Sequence, residues 1–296
     1  MTAREEIPQH PVAFVSRRAW AWWATQQLEA VGADAPRRIA ECILERALGL
    51  ERPQLYASWN ELVPRDAFPL LEAMLVRALQ RQPLAYVIGE KEFWGLEFEV
   101  SPAVLVPRPE TELLVEWALR LFPAGRRGAP ISLVDAGTGS GCLAVALARE
   151  WPQARVTAMD RSLPALQLAR RNARRWGVEG RIRFVCSNWL TSLAARQFPL
   201  IVANPPYLTE EELASAEPEV KFEPALALAG GKDGLEAIRT VLADAARCST
   251  PGGWLLLEIG AEQGSAAAEL ARAAGAREVA VEQDLAGWPR VLRARW

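Results

Sequence analysis

From residue 131 onward the chain alternates between two kinds of apolar spacing. Short continuous apolar runs, "ISLVDA", "RVTAMD", "RIRFVCSN", "PLIVA" and "GGWLLLEIG", read as strands. Between and after them, "GCLAVALARE", "SLPALQLARRNARRWG", "DGLEAIRTVLADAARCS" and "SAAAELARAAG" repeat apolar residues every three or four positions and read as helices, the second capped by Ser162. Strands that are apolar on both faces and separated by helices predict a mostly parallel sheet covered on both sides, an α/β fold. "REVAVEQDLAG" and "PRVLRARW" predict an antiparallel pair that closes the sheet. No internal repeat is visible.

The first third of the chain differs. "AWAWWATQQLEAVG" and "DAPRRIAECILERALGL" carry helical spacing, with Asp34 as the expected N-cap and Pro36 in the first turn. "PRDAFPLLEAMLVRALQRQ" predicts a further helix. Residues 1–82 thus read as a small helical N-terminal domain without a catalytic pattern, suited to stabilising its neighbour or to docking a partner. In 83–106, "YVIGEKEFWGLEFEVSPAVLV" alternates apolar and polar positions, with Gly89 and Gly95 as turn signals, and predicts a β-hairpin linker. "PRPETELLVEWALRLF" then opens a domain of residues 107–296 with an amphipathic helix from Thr111, acidic in its first turn.

Composition narrows the function classes. The 296 residues are 50% hydrophobic, enough for one large domain and a small one. A net charge of -2, with both signs spread along the chain, argues against a protein whose main task is gripping a nucleic-acid backbone. Cys42, Cys142, Cys186 and Cys248 form no C-x-x-C pair and read as reduced, buried thiols. There is no apolar run of about 18 residues, and "MTAREEIPQHPVAF" lacks the apolar core of a signal peptide. A cytoplasmic protein without a membrane segment is the expectation. The one histidine, His10, excludes histidine-based metal clusters and Ser–His or Cys–His dyads, so no metal is expected. The twelve tryptophans, Trp20, Trp22 and Trp23 among them, read as core or interface anchors.

In parallel sheets, ligands bind beyond the carboxyl ends of the strands. The first four strands here end in "LVDAGTGSG", "TAMD", "VCSNW" and "IVANPPY". Gly137, Thr138, Gly139, Ser140 and Gly141 make a glycine loop preceded by Asp135. The loop misses the dinucleotide fingerprint by one residue, at Cys142, and lacks the Gly-Lys-Ser/Thr ending of a phosphate-binding loop. The spacing suits a ligand without phosphates. Asp160, about 20 residues on, can accept both hydrogens of a ribose diol, although capping of the helix at Ser162 is a compatible structural role. Trp189 can lie beside a flat base. Together these suggest S-adenosylmethionine.

"NPPY" reads as the acceptor side of the site. Asn204 offers one acceptor oxygen and two donor hydrogens in a plane. Pro205 restricts the asparagine backbone. Pro205 and Pro206 keep free carbonyls, and Tyr207 supplies a flat wall. Such a set holds a planar NH2 group: a carboxamide, or the exocyclic amine of adenine.

The chain resembles the HemK/PrmC-type methyltransferases, in "FWGLEFEVSPAVLVPRPETE", "DAGTGSG", "NPPY" and "FEPALAL". The resemblance extends over nearly the whole chain and implies a Rossmann-like class I methyltransferase fold. It also implies methylation of the glutamine amide in the Gly-Gly-Gln motif of class-one peptide chain release factors, with no direct nucleic-acid target. It would place Gly137, Thr138, Gly139, Ser140, Gly141, Asp160, Asn188, Trp189 and Asn204 at the cofactor, and Asn204, Pro205, Pro206 and Tyr207 at the substrate. Asn204, Pro205 and Tyr207 would carry catalysis by positioning. Asn188 stands where many relatives have aspartate, and can still accept through its oxygen without charge. Pro199 and Leu200 stand where an acidic residue is common. Three rival readings are a glutamine methyltransferase for a ribosomal protein, an adenine or guanine amino methyltransferase, and a non-catalytic cofactor-binding module.

Overall fold

The computed structural model describes residues 15–123 and 130–296, and His10 lies outside them. The chain divides into two compact units. One holds the described residues through Gly89 together with Pro218–Phe222; the other holds Glu90–Glu217 and Glu223–Trp296.

In the first unit, helices Arg17–Ala30, Pro36–Leu48, Arg52–Ala57, Phe68–Leu79 and Leu84–Ile88 enclose a core that includes Trp20, Leu28, Ile43, Leu44, Leu55 and Leu71. Three local expectations shift. The N-cap of the second helix is Ala35, in a left-handed conformation (φ 48°), and not Asp34. The stretch from Pro64 begins as a 3-10 turn, Arg65–Ala67, before the α-helix takes over at Phe68 with a proline in its first turn. Residues 84–88 are helical, so the hairpin starts only after Gly89, whose φ of 85° ends that helix.

The second unit begins with that hairpin, β1 (Glu90–Phe93) and β2 (Leu96–Glu99), paired antiparallel. Phe93, Leu96 and Phe98 enter the core of this unit. Helix Glu112–Leu121 follows a 3-10 turn, Pro109–Thr111, so the α-helix starts one residue later than expected. Seven strands then form one sheet: β3 (Ile131–Ala136), β4 (Ala154–Asp160), β5 (Ile182–Cys186), β6 (Phe198–Ala203), β7 (Ser249–Glu258), β8 (Glu278–Gln283) and β9 (Pro289–Arg295). Their order is β5-β4-β3-β6-β7-β9-β8. Every pair from β5 to β7 is parallel; β9 runs antiparallel to both β7 and β8.

Both faces are covered, as the unbroken apolar strands require. Leu133 and Val134, neighbours in β3, enter different core clusters, as do Ile201 and Val202 in β6. The chain runs outward from β3 to β5 and returns to place β6 on the other side of β3. That reversal opens a crevice at the carboxyl ends of β3 and β6.

Cys142 and Cys248 are buried and Cys42 half-buried, but Cys186 is exposed, against expectation. It is the last residue of β5, the edge strand of the sheet. Trp20 and Trp151 are core residues, whereas Trp22 and Trp288 are exposed. Among the described residues no helix is long and apolar enough to cross a membrane.

Candidate active site

A cleft of about 600 Å³ lies at the crevice, within the range of small-molecule sites. Gly137, Thr138, Gly139, Ser140, Asp160, Asn188, Trp189, Asn204 and Pro206 line it. Gly141, Pro205 and Tyr207 do not. Pro205 is buried, and Tyr207, half-buried, packs against the core cluster beneath β6.

The glycine loop is held from below. The amides of Gly137 and Thr138 both donate to Met159 O, at 2.9 and 2.8 Å. Gly137 and Gly141 have φ of 79° and 81°, which an L side chain resists. A Cβ on Gly137 would lie 3.2 Å from the Trp189 ring, and one on Gly141 would lie 3.0 Å from Ala169 Cβ. Gly141 therefore serves close packing of the loop on helix Leu163–Arg175. Asn172 of that helix donates to Ser140 O at 2.9 Å and to Glu99 O at 3.0 Å, tying the hairpin to the loop.

Asp160 accepts from Gly139 N at 2.9 Å through one oxygen and from Ser162 N at 2.8 Å through the other. It thus closes the loop and steadies the helix start, where Ser162 is the N-cap. Burial raises its pKa, with these backbone donors opposing. Beneath it, Asp135 is fully buried. Its Oδ2 accepts from Thr138 Oγ1 at 2.6 Å and Ala144 N at 3.1 Å, while Oδ1 has no hydrogen-bond partner among the described residues. Burial pushes the Asp135 carboxyl up to about 7. Trp189 holds a left-handed backbone (φ 48°), a strained conformation for a bulky residue. Such strain persists only where surrounding packing enforces it, here at the wall of the cleft.

At the tip of β6, Asn204 Nδ2 donates to Thr111 Oγ1 at 3.0 Å. Thr111 in turn donates to Glu258 Oε2 at 2.6 Å. Among the described residues no hydrogen bond reaches Asn204 Oδ1. The residues after Asn204 are gripped by a segment that has no periodicity in sequence. Leu208 N donates to Leu228 O and Gly230 N to Leu208 O, at 3.0 and 2.8 Å. Gln263 Nε2 donates to Tyr207 O at 3.0 Å and to Gly234 O at 3.1 Å. A Cβ on Gly230 would stand 2.7 Å from Tyr207 Cα. Burial pushes the Tyr207 phenol up to about 12, so it stays neutral.

Sequence reasoning assigned no role to Arg108, Thr111, Glu223 or Glu258. Arg108 pairs with the buried Glu223, whose other oxygen accepts from Val106 N at 3.0 Å. That pair joins the proline-rich segment before Thr111 to the wall formed by Pro224, Ala225, Leu226, Ala227 and Ala229. Glu258 ends β7, and reading that fifth strand at its tip, as the first four were read, would have found it.

Seven strands with one antiparallel member inserted next to the edge, and a glycine loop at the end of β3 beside an acidic β4 tip, define a class I methyltransferase domain. A solved methyltransferase from Pyrococcus furiosus shares this fold, with a TM-score of 0.51 and 21% identity over 74% of this chain and 96% of that one. Residues 19–89 match the PrmC N-terminal domain family and residues 118–219 the methyltransferase small domain family. The release factor glutamine methyltransferase of Nitratidesulfovibrio vulgaris is 43% identical over 276 residues, 92% of each chain. That of Escherichia coli is 37% identical over 277 residues, 94% of this chain and 98% of the other. The chain belongs to the release factor glutamine methyltransferase family.

Proposed function

We propose that the protein transfers a methyl group from S-adenosylmethionine to the side-chain amide nitrogen of the glutamine in the Gly-Gly-Gln motif of class-one peptide chain release factors. Family membership supports the enzyme class and the release factor as substrate. One feature of the site carries the chemistry: Asn204 lines the cleft with its NH2 engaged by Thr111 and its oxygen free to accept.

The cleft fits the cofactor in kind. Its glycine loop turns tightly under a ligand that needs no phosphate clamp. Asp160 retains lone pairs for a ribose diol beyond the two backbone amides it binds. Asn188 and Trp189 stand at the wall for an adenine ring. S-adenosylmethionine, when bound, supplies a methyl group activated by a positively charged sulfur.

The remaining work falls to the chain's own residues. An amide nitrogen is a poor nucleophile because its lone pair is delocalised. Asn204 Oδ1 and a carbonyl of the proline pair accept the two amide hydrogens of the substrate glutamine and so aim the nitrogen. Such alignment is worth effective molarities of about 10⁵–10⁸ M. As positive charge develops on the nitrogen, the same acceptors stabilise it. A strong base is not needed, because the alkylated nitrogen sheds its proton readily. Tyr207, neutral and packed against the core rather than lining the cleft, steadies the acceptor loop. The helical N-terminal domain, residues 1–82, recognises the protein partner, and the enzyme acts in the cytoplasm.

The test compares acceptors one at a time. Labelled cofactor is incubated with the protein and, separately, with a class-one release factor, ribosomal proteins and DNA or RNA. Label confined to the glutamine-bearing peptide of the release factor is the expected outcome. Label on a ribosomal protein or on nucleic acid instead would overturn the assignment.

A further inference from the structure

We infer that Thr111 and Glu258 are positioning residues for methyl transfer: the chain Glu258–Thr111–Asn204 fixes the orientation of the Asn204 amide and reserves its oxygen for the substrate. The inference rests on the proposed role of Asn204 and adds the groups that control it.

The strands bring the three together. Ala203 of β6 pairs with Leu257 of β7, so Asn204 and Glu258 follow side by side at the ends of adjacent parallel strands. Thr111 comes from the turn before helix Glu112–Leu121. It does not cap that helix, because its side chain makes no bond to the helix amides and its backbone is already helical (φ -64°, ψ -21°). Its hydroxyl is used sideways. Thr111 and Glu258 are 2% and 1% exposed, so water does not compete for these bonds.

The direction of the chain follows from donor arithmetic. A carboxylate only accepts, so it takes the single hydroxyl hydrogen of Thr111. The threonine oxygen is then an acceptor, and only the NH2 end of Asn204 can meet it. A turned-over amide would set oxygen lone pairs against oxygen lone pairs. With Nδ2 held, Oδ1 is the atom offered in the cleft. Protonating Glu258 reverses this logic. The acid can donate to Thr111, which frees the hydroxyl hydrogen for Asn204 Oδ1. The amide then presents its NH2, which cannot accept from a substrate amide.

The surroundings of Glu258 place that reversal within reach of ordinary pH. Burial is the dominant influence and pushes the carboxyl up to about 7. The Thr111 hydrogen bond, Arg290 of β9 and Arg108 oppose it, and Glu110 reinforces it. Tyr207 and Cys142 also face the group, and both remain neutral because burial pushes each up to about 12. Arg290 is itself paired with Asp284 at 3.4 Å.

The experiment uses the full chain, a class-one release factor and saturating cofactor. Single-turnover transfer is measured across the Glu258 titration, with cofactor affinity followed by calorimetry. The parent is expected to speed up as pH rises through neutrality. Thr111→Val keeps the shape and removes the hydroxyl, and should lose on the order of tenfold to a hundredfold in transfer rate, with cofactor affinity unchanged. Thr111→Ser should restore most of the rate. Glu258→Gln can still accept from Thr111 through its carbonyl and should flatten the pH profile. Thr111→Val at the parental rate, failure of Thr111→Ser to recover, or a Glu258→Gln enzyme that keeps the pH step would each overturn the inference. If Glu258→Gln does not fold, the two Thr111 variants decide alone. A parent that methylates no release factor glutamine at any pH overturns the underlying reading and the inference with it, an outcome distinct from an active parent with indifferent variants.

Discussion

Gly234 lies outside the cleft, yet its replacement should disable the acceptor side of the site. Its φ is 71°, a conformation that costs an L side chain roughly 1–2 kcal/mol. In Gly234→Ala the new Cβ would stand 2.4 Å from Tyr207 O and 2.5 Å from Gln263 Nε2. Real Cβ contacts do not fall below 3.0 Å, so the Tyr207 carbonyl must retreat by about 0.6 Å or its bond to Gln263 must break. Overpacking of this kind costs about 1–3 kcal/mol, which brings the total loss of stability to about 2–5 kcal/mol. Because Tyr207 is two peptide bonds from Pro205, the displacement reaches the acceptor carbonyls. A misplacement near 1 Å can cost about 10² in rate, so single-turnover transfer should fall on the order of tenfold to a hundredfold. Cofactor affinity should change less, since the glycine loop hangs from β3 and β4. The assay pairs urea unfolding with single-turnover methylation of a release factor. Gly275→Ala is the control: its φ is 87° with nothing within 4 Å of a Cβ, so it isolates the conformational cost and should leave transfer unchanged. If Gly234→Ala is no less stable than Gly275→Ala, or transfers at the parental rate, packing of Gly234 against Tyr207 does not set the acceptor loop.

Asp160→Ala removes the acceptor of Gly139 N as well as the group proposed for the ribose, so calorimetry should give a cofactor Kd weakened by tenfold or more, from a loss of about 1.5–3 kcal/mol; unchanged affinity would remove Asp160 from the site. Asp135, pushed up to about 7 by burial, holds its proton more tightly when folded than when unfolded, near 3.9. Its contribution to stability is therefore full at acid pH and lost as pH rises from about 4 through about 7, at up to about 1.4 kcal/mol per pH unit. Against Asp135→Asn, measured by urea unfolding at a series of pH values, the parent should lose stability across that window; parallel curves would show that Asp135 does not titrate there.

The sheet was legible because its strands are apolar on both faces and stop abruptly at polar tips. The runs ending at Ala136, Asp160 and Ala203 coincide with β3, β4 and β6 to within a residue or two. The glycine loop, Asp160, Trp189 and Asn204 stood out for the same reason: each lies at or just beyond a strand end, and all but Gly141 of the loop line one cleft. Thr111 and Glu258 were hidden by context. Thr111 reads only as the first residue of an amphipathic helix, and an acid after "LLL" reads as the end of a strand. Only the pairing of β6 with β7 reveals that they meet at Asn204. The grip on Tyr207 by Gly230, Gly234 and Gln263 is equally invisible, because it depends on a loop without periodicity returning to a loop without periodicity. Asp34 failed as a cap because Ala35 takes the left-handed turn beside it. The helix at 84–88 was mistaken for strand because five residues are too few to separate the two periods.

The central claim is that oxygens at the tip of β6 hold a neutral carboxamide in line with the methyl donor. Asn204→Ala tests it most directly, in single-turnover methylation of a class-one release factor at saturating cofactor with calorimetric control of cofactor binding. The expected result is a loss on the order of 10²–10³ in the transfer rate with cofactor affinity nearly intact. A transfer rate close to that of the parent would contradict it.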